Sequence, residues 1–185
     1  MIDFQLRHAT QHDFATIIRF VQAMLSEMEA LSNRELADRA EAWLDFERRI
    51  LQTLSRDENG NPTYPCAADH LVEIAEMMGD VSPGGDKSSG ADSPIGLSEA
   101  SLMHPLPSFR PLQTLYIHAL YVLPPCRCQG VGTALLRAAL DWGQQHHCLQ
   151  AELHVLPRNP ARRLYQELGF KVYGLEMRKE MTSVS

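Results

Sequence analysis

The sequence has few cysteines and no long apolar run. Its four cysteines, Cys66, Cys126, Cys128 and Cys148, are too few and too irregularly spaced for the disulfide framework of a small secreted domain. Cys126 and Cys128 have no second cysteine pair with which to complete a zinc site. No stretch reaches the roughly 18 apolar residues of a membrane span, and the start lacks the basic-then-apolar pattern of a secretory signal. These absences predict a soluble, metal-free protein of the cytoplasm, with the nucleus as a second possible compartment.

Positive charge is also scarce. The chain has 17 Lys and Arg against 23 Asp and Glu, a formal net charge of −6. The basic side chains are few and no aromatic platform alternates with them, which argues against nucleic-acid binding. The charge is unevenly distributed: residues 1–111 carry nine basic and 18 acidic side chains, and residues 112–185 carry eight and five. We expect this asymmetry to have a functional meaning.

What the sequence does contain is enough apolar material for one domain. It has 185 residues, of which 44% are hydrophobic, so a single core can be buried. We expect one domain over residues 1–185, with a disordered insertion at 79–93, where Gly, Ser and Asp dominate. Hydrophobic periodicity predicts a first half of strand, two helices and two strands, at 2–7, 14–28, 33–54, 70–76 and 94–103.

The second half alternates strands and helices. Leu115–Leu123 reads as a strand that stops at two prolines, and a helix follows from Val131 to about Gln145. The remaining predicted elements are a strand at 149–156, a short helix at 161–168 and closing strands at 170–173 and 175–181. This order predicts an α/β fold around a mixed sheet.

A glycine turn separates that strand from that helix. Its pattern, Arg127-x-x-Gly130-x-Gly132, places small residues at a helix N-terminus, where backbone N–H groups lack partners and favour an anion. A dinucleotide fingerprint would need a third glycine where Leu135 stands, and no Gly-x-x-x-x-Gly-Lys loop occurs. Taken alone, the pattern is more often an ordinary turn after a strand than a phosphate site.

Two segments together resemble the GNAT superfamily of acetyl-coenzyme A-dependent N-acetyltransferases. Arg127-Cys-Gln-Gly-Val-Gly132 is similar to the family's pyrophosphate loop, and Asn159-Pro-Ala-Arg-Arg-Leu-Tyr-Gln-Glu-Leu-Gly-Phe170 is similar to its second signature. The resemblance covers residues 115–180. It implies the GNAT fold: a mixed, mostly antiparallel sheet, splayed at the cofactor site and flanked by about four helices.

The resemblance also implies a binding site for acetyl-coenzyme A as co-substrate. The family's pattern places the pantetheine arm and the acetyl carbonyl against the backbone of Leu120, Tyr121 and Val122, with Asn159 also bonding to the arm. The pyrophosphate would be held by the glycine turn, which consists of Arg127, Cys128, Gln129, Gly130, Val131, Gly132 and Thr133.

For catalysis, the resemblance implies Tyr165 as the general acid beside the thioester sulfur. The alternative for Tyr165 is a core aromatic on a short helix.

The general base stays open. Many relatives have a Glu on the strand before the loop, where this chain has His118. The strand segments that contain Tyr116 and His154 resemble those of the protein N-terminal-acetylating branch of the family. As candidates for the general base we therefore rank His154 first, followed by Tyr116 and His118. A strand histidine is otherwise a satisfied polar residue.

The first hypothesis is therefore an N-acetyltransferase that acts by direct attack of a primary amine in a ternary complex. The alternatives are a non-catalytic GNAT-like module that binds acyl-coenzyme A or a partner, and an unrelated phosphate-binding regulator. The acceptor is either a small-molecule amine or a protein amine, with no nucleic acid or membrane as partner, and the chain is a monomer or a homodimer. Complementary fields would bring a cationic amine to the acidic half and coenzyme A to the basic half.

Overall fold

One open five-stranded sheet organises the chain. A computed structural model describes residues 2–32, 40–64, 67–78, 93–103 and 113–175. In these residues the strands lie in sequence order, as β1 (Phe4–His8), β2 (His70–Met77), β3 (Ser93–Met103), β4 (Thr114–Val122) and β5 (Gln150–Leu153). The first three pairings are antiparallel and the pairing of β4 with β5 is parallel. Within the same residues four α-helices flank the sheet, as α1 (Phe14–Ser32), α2 (Ala40–Leu54), α3 (Val131–Gln145) and α4 (Arg162–Glu167), and the expected mixed architecture is confirmed.

Helices α1 and α2 pack on one face of the sheet, which we call the front face. Ile17 and Phe20 of α1 and Ile50 of α2 are at most 1% exposed, and they cluster with Leu97 and Tyr121 of the sheet. Apolar residues at helical spacing produce this stripe, because they recur on one side of each helix. The predicted second helix is described from residue 40 onward, and its expected first residues, 33–39, lie outside the described part.

The start of α1 is fixed to the edge of the sheet. The Thr10 N–H donates to Asp13 Oδ2 at 2.7 Å, and both oxygens of Asp13 accept from the Arg7 guanidinium of β1 at 2.7 and 2.8 Å. These hydrogen bonds to Arg7 are the main reason that the pKa of Asp13 is lowered to about 2. Asp13 is therefore ionised at neutral pH, and its ion pair with Arg7 anchors the start of α1 to the sheet.

Helix α3 packs on the opposite, back face. Leu135, Leu136 and Ala139 are fully buried against the sheet. The helix approaches β4 closely at Gly143, where an added Cβ would lie 2.9 Å from Leu115 Cδ2. Any larger residue there would push α3 away from the sheet, since interiors have no room for a contact at that distance.

Strands β4 and β5 separate halfway along β4. Their pairing ends at Ile117 and Leu153, whereas β4 continues to Val122, so a gap opens beside the second half of β4. A bulge coincides with this point, because Glu99 pairs with Ala119 and Ala100 with Ile117, which leaves His118 as the extra residue. The expected splay of the sheet is thus confirmed, and it begins at the bulge.

The C-terminal end of the sheet differs from the prediction. The strand expected at 149–156 is confined to Gln150–Leu153, and the strand expected at Phe170–Tyr173 does not form. Residues 171–175 are exposed and make no backbone hydrogen bond to the described strands. A strand needs a neighbouring strand to pair with as well as suitable residues, and the local sequence pattern reports only on the residues.

Two other expectations fall wholly or partly outside the described residues. These are most of the last predicted strand, 175–181, and the predicted insertion at 79–93, of which only Ser93 is described, as the first residue of β3. In the described part of the chain, no helix has the length and apolar character needed to cross a bilayer.

Candidate functional site

The glycine turn offers a run of unpaired backbone donors. The turn follows β4 and ends where α3 begins at Val131, with Gly130 as the N-cap. Among the described residues, no backbone acceptor is found for the six consecutive N–H groups from Cys128 to Thr133. Such groups carry the positive end of the helix dipole, so the turn has the donors that a phosphate requires.

The two glycines of the turn leave space for a ligand rather than serving the packing. Gly130 has a φ of +90°, which favours glycine, and an added Cβ would meet no atom within 4 Å. At Gly132 an added Cβ would lie 3.5 Å from Leu164 and 3.7 Å from Val122, which are ordinary contacts. The fold therefore requires glycine at 130 for its backbone conformation, and the surface beside it stays open.

Arg127 is already engaged by the protein. Its Nε donates to the carbonyl oxygen of Val122 at 2.8 Å, and Nη2 forms an ion pair with Glu27 of α1 at 2.6 Å. Its guanidinium carbon also lies 5.5 Å from the centre of the Tyr121 ring. Arg127 thus connects the glycine turn, the end of β4 and the front-face helix α1.

Gln129 supports the turn through its side chain. Its Oε1 accepts from the Ile2 N–H and its Nε2 donates to the Pro125 carbonyl, both at 3.1 Å. Cys128, with φ of +58°, is exposed and carries a free thiol. The turn can therefore contact an anion mainly through its peptide groups, because the Gln129 side chain is directed to the protein.

The second half of β4 presents peptide groups to the gap. The Leu123 N–H donates to Ile95 of β3, whereas the Val122 carbonyl accepts from Arg127 on the other side. Since peptide groups alternate along a strand, those of Leu120 and Val122 face the gap and those of Tyr121 face β3. The Tyr121 ring lies in the front core, 6% exposed and 5.5 Å from the Phe20 ring.

Tyr165 lies on the back side of the gap. It packs with the cluster of α3 and β4 on that face, and its ring is 6.0 Å from that of Phe170, edge to face. Burial raises the pKa of its phenol above the ordinary value, so the group is protonated at neutral pH. Its hydroxyl makes no hydrogen bond with the described residues, and it is available to a ligand.

Asn159 shapes the turn before α4. Its Oδ1 accepts from the Ala161 N–H at 2.9 Å, and its carbonyl accepts from the Arg162 N–H at 3.2 Å. The side chain of Asn159 thus closes a turn ahead of the helix, and its NH₂ group is left as a donor for a second partner.

A polar cluster occupies the front face at the bulge. The His118 ring is 4.9 Å from the Tyr116 ring and 6.1 Å from the His70 ring, and its Nε2 is 2.7 Å from Ser101 Oγ. Beside it, the buried Glu99 pairs with Arg49 of α2 at 2.5 Å. We call this group the His118 cluster; it consists of Arg49, His70, Glu99, Ser101, Tyr116 and His118.

The His118 imidazole is neutral over the physiological range. Although the residue is partly exposed, its pKa is lowered to about 4, mainly by desolvation and in smaller part by the charges of Arg49 and His70. A neutral imidazole can accept a proton, and the Ser101 hydroxyl at Nε2 can accept that nitrogen's N–H. Nδ1 would then hold the free lone pair.

The other base candidate, His154, follows the end of β5 and is exposed. The strand itself carries Glu152, which accepts from the Tyr173 hydroxyl at 3.2 Å and from Gln150 at 3.1 Å. Of the three residues ranked from the sequence, the structure brings two into ring contact, Tyr116 and His118.

Sequence reasoning did not identify the other four members of the cluster. Arg49 and Glu99 are 50 positions apart, and Ser101 is 17 positions from His118. The one signal that could have revealed Glu99 is a carboxylate inside a predicted apolar strand, because a buried charge needs a partner. Within the described ranges, no group of three or more metal-ligating side chains occurs.

Comparison with known proteins gives a family match in the second half of the chain: a model of the acetyltransferase (GNAT) family matches residues 86–170. No curated protein sequence gives a significant match. Among solved structures, a GCN5-related N-acetyltransferase from Ralstonia eutropha JMP134 superposes with a TM-score of 0.66 at 21% identity, covering 97% of this chain and 99% of that one.

Two further solved structures have the same fold over 97% of this chain and 99% of their own, each with a TM-score of 0.60. One is the aminoglycoside N-acetyltransferase AAC(6')-Iy in complex with the bisubstrate analogue CoA-S-monomethyl-acetylneamine, at 19% identity. The other is glucosamine-6-phosphate N-acetyltransferase from Arabidopsis thaliana, at 12% identity. At these identities the similarity shows the fold.

Proposed function

The chain belongs to the GNAT acetyltransferase superfamily, by its fold and by the family match over residues 86–170, and on this premise we propose that it transfers acetyl from acetyl-coenzyme A to a primary amine. The observation that carries the proposal is the run of unpaired N–H groups from Cys128 to Thr133 beside the gap between β4 and β5. The N–H groups can bind the pyrophosphate of coenzyme A, and the gap between the strands can hold its extended pantetheine arm.

In this proposal the co-substrate is held mainly by the backbone. Peptide groups of Cys128, Gln129, Gly130, Val131, Gly132 and Thr133 donate to the pyrophosphate, with Arg127 at the edge of the turn. Leu120 and Val122 offer the peptide groups that a neighbouring strand would otherwise use, so they can pair with the amides of the pantetheine arm. Tyr121 supports this strand from the front core, and the NH₂ group of Asn159 supplies a further donor.

The reacting groups approach the gap from its two faces. The amine nitrogen attacks the thioester carbonyl, and His118 on the front face accepts the proton that the amine loses. Gap-facing N–H groups of β4 stabilise the negative charge that develops on the carbonyl oxygen. Tyr165 on the back face donates its proton to the sulfur as the carbon–sulfur bond breaks. The positions of His118 and Tyr165 support these roles, and we propose His118 as the base in preference to His154.

The proposal is tested by measuring free thiol released from acetyl-coenzyme A in the presence of a panel of primary amines. We expect turnover that depends on the amine and a product acetylated on nitrogen, identified by mass spectrometry. Binding of coenzyme A without turnover on any amine would instead support the alternative of a non-catalytic acyl-coenzyme A-binding module. Lack of coenzyme A binding would contradict both.

Replacement of the proposed base gives a second test. We expect His118→Gln to lower kcat by about 10²–10⁴-fold, the range that general base catalysis contributes, with unchanged affinity for coenzyme A. His154→Gln is the matched control and should keep most of the activity. Steady-state kinetics and isothermal titration of both variants measure these effects.

The pH profile gives an independent test of His118. Because the pKa of His118 is lowered to about 4, this base is unprotonated at any pH above that value. Therefore kcat/KM, expressed for the unprotonated amine, should be flat from pH 8 down to about pH 5 and fall below it. A fall in kcat/KM that begins well above pH 5 would contradict this assignment, and loss of activity in His154→Gln but not in His118→Gln would assign the base to His154.

A further inference from the structure

The His118 cluster contains one ion pair whose partners differ in exposure. The Glu99 side chain is 3% exposed and that of Arg49 is 35% exposed, with Nη1 of Arg49 at 2.5 Å from Glu99 Oε1. Glu99 belongs to the sheet, opposite Ala119 and next to the bulge, whereas Arg49 belongs to α2. The pair therefore brings a guanidinium to the front face immediately beside His118.

Arg49 keeps most of its hydrogen-bonding capacity. A guanidinium has five N–H donors, and one of them is used by Glu99. The guanidinium carbon lies 5.3 Å from the centre of the Phe46 ring, which supports the group from one side. Within the described part of the chain, no acceptor other than Glu99 hydrogen-bonds to Arg49. The side chain is 35% exposed, and its remaining N–H donors are arranged in a plane that matches the two oxygens of a carboxylate or phosphate.

The local charge of the cluster differs from that of the whole front half. Residues 1–111 carry an excess of acidic side chains, which favours cations at long range. At physiological salt, however, exposed charges act over about 8 Å, so contacts at the site outweigh the net charge of distant residues. Among the described members of the cluster, Glu99 is the one carboxylate and Arg49 already compensates it. A polycationic acceptor would find no unpaired carboxylate there, and an anionic group would find Arg49.

We infer that the acceptor amine carries an anionic group, a carboxylate or a phosphate, which Arg49 binds while the amine lies at His118. This inference rests on the proposed acetyl transfer and specifies its acceptor class. Arg49 is then a specificity-determining residue, and Glu99 positions it by fixing one arm of the fork. The inference favours amino-sugar phosphates and amino acids as acceptors over aminoglycosides.

The experiment compares kcat/KM for pairs of acceptors that differ by one anionic group. Glucosamine 6-phosphate against glucosamine tests a phosphate, tyrosine against tyramine tests a carboxylate, and kanamycin tests a polycation. We expect at least one anionic member to exceed its neutral or cationic counterpart about tenfold or more, mainly through KM, as a charge-assisted hydrogen bond would give. The pair that shows the effect identifies the anion.

Variants of Arg49 then assign the preference. Arg49→Lys keeps the ion pair with Glu99 but loses the fork, and should raise KM for the anionic acceptor with little change in kcat. The double variant Arg49→Gln/Glu99→Gln removes both charges, so that no buried carboxylate is left without a partner. In this variant the ratio of kcat/KM between the anionic acceptor and its counterpart should fall to near one. The control is Arg48→Gln, whose exposed guanidinium pairs with Asp45 at 3.0 Å, and it should keep the preference.

The outcomes separate this inference from the proposed function. Equal or better use of neutral and cationic acceptors by the wild type overturns the acceptor class and leaves acetyl transfer intact. A preference that survives unchanged in both Arg49 variants overturns the role of Arg49. Absence of transfer to every amine overturns both the function and the inference.

Discussion

Gly130→Val should weaken coenzyme A binding about 10–100-fold in isothermal titration. Gly130 has a φ of +90°, and a β-branched residue rarely adopts that conformation, so the turn must shift or bear strain. Either response moves peptide N–H groups away from the pyrophosphate. Loss of one charge-assisted hydrogen bond, worth about 1.5–3 kcal/mol, corresponds to this range of affinity.

The chain contains a matched control in Gly60. This glycine has a φ of +81° in the turn after α2, and like Gly130 it has no atom within 4 Å of an added Cβ. Gly60→Val should therefore cost a similar free energy of unfolding and leave the affinity for coenzyme A unchanged. If both variants bind coenzyme A equally well, the glycine turn is not the pyrophosphate site.

Tyr165→Phe should lower kcat by about 10²–10⁴-fold with little change in KM or in coenzyme A affinity. The phenol makes no hydrogen bond with the described residues, so its removal leaves the packing of the ring against Phe170 in place. The loss is confined to proton donation to the leaving sulfur, for which this range is typical.

The choice of leaving group tests this assignment directly. A thioester whose thiol is more acidic needs less protonation, so the deficit of Tyr165→Phe should shrink with an activated acetyl thioester of that kind. Tyr64→Phe, at a tyrosine that is 44% exposed, is the control and should match the wild type. An unchanged kcat in Tyr165→Phe would remove this residue from the mechanism.

The fold was predictable where local pattern and connectivity agree. A strand that ends at two prolines, a glycine turn and an amphipathic helix determine the β4–α3 unit, and the structure contains it at the expected residues. The prediction was wrong at Phe170–Tyr173, where the residues suit a strand but no described neighbour pairs with them. Sheet pairing depends on distant residues, so local reading is weakest at the edge of a sheet.

The candidate site was predictable in its backbone and less so in its side chains. Glycine spacing identified the turn, because peptide donors need only small residues around them. The surroundings of His118 were not predictable, since a bulge places it against Ser101 and brings Arg49 from another helix. Arg127 was expected to serve an anion, and the sequence contained no indication of its contacts with Glu27 and Val122.

Those contacts of Arg127 reduce what this residue can add to the binding of a phosphate. Its guanidinium already has a carboxylate at 2.6 Å and a carbonyl at 2.8 Å. Three of its five N–H donors have no partner among the described residues, so a phosphate can share the guanidinium with Glu27, and it gains less from Arg127 than from an arginine that has no carboxylate beside it. An amide of the pantetheine arm that pairs with the Val122 carbonyl must likewise share or displace Nε. Because Glu27 lies on α1, a phosphate at Arg127 would lie next to the helix that packs on the front face, the face from which the amine is proposed to enter.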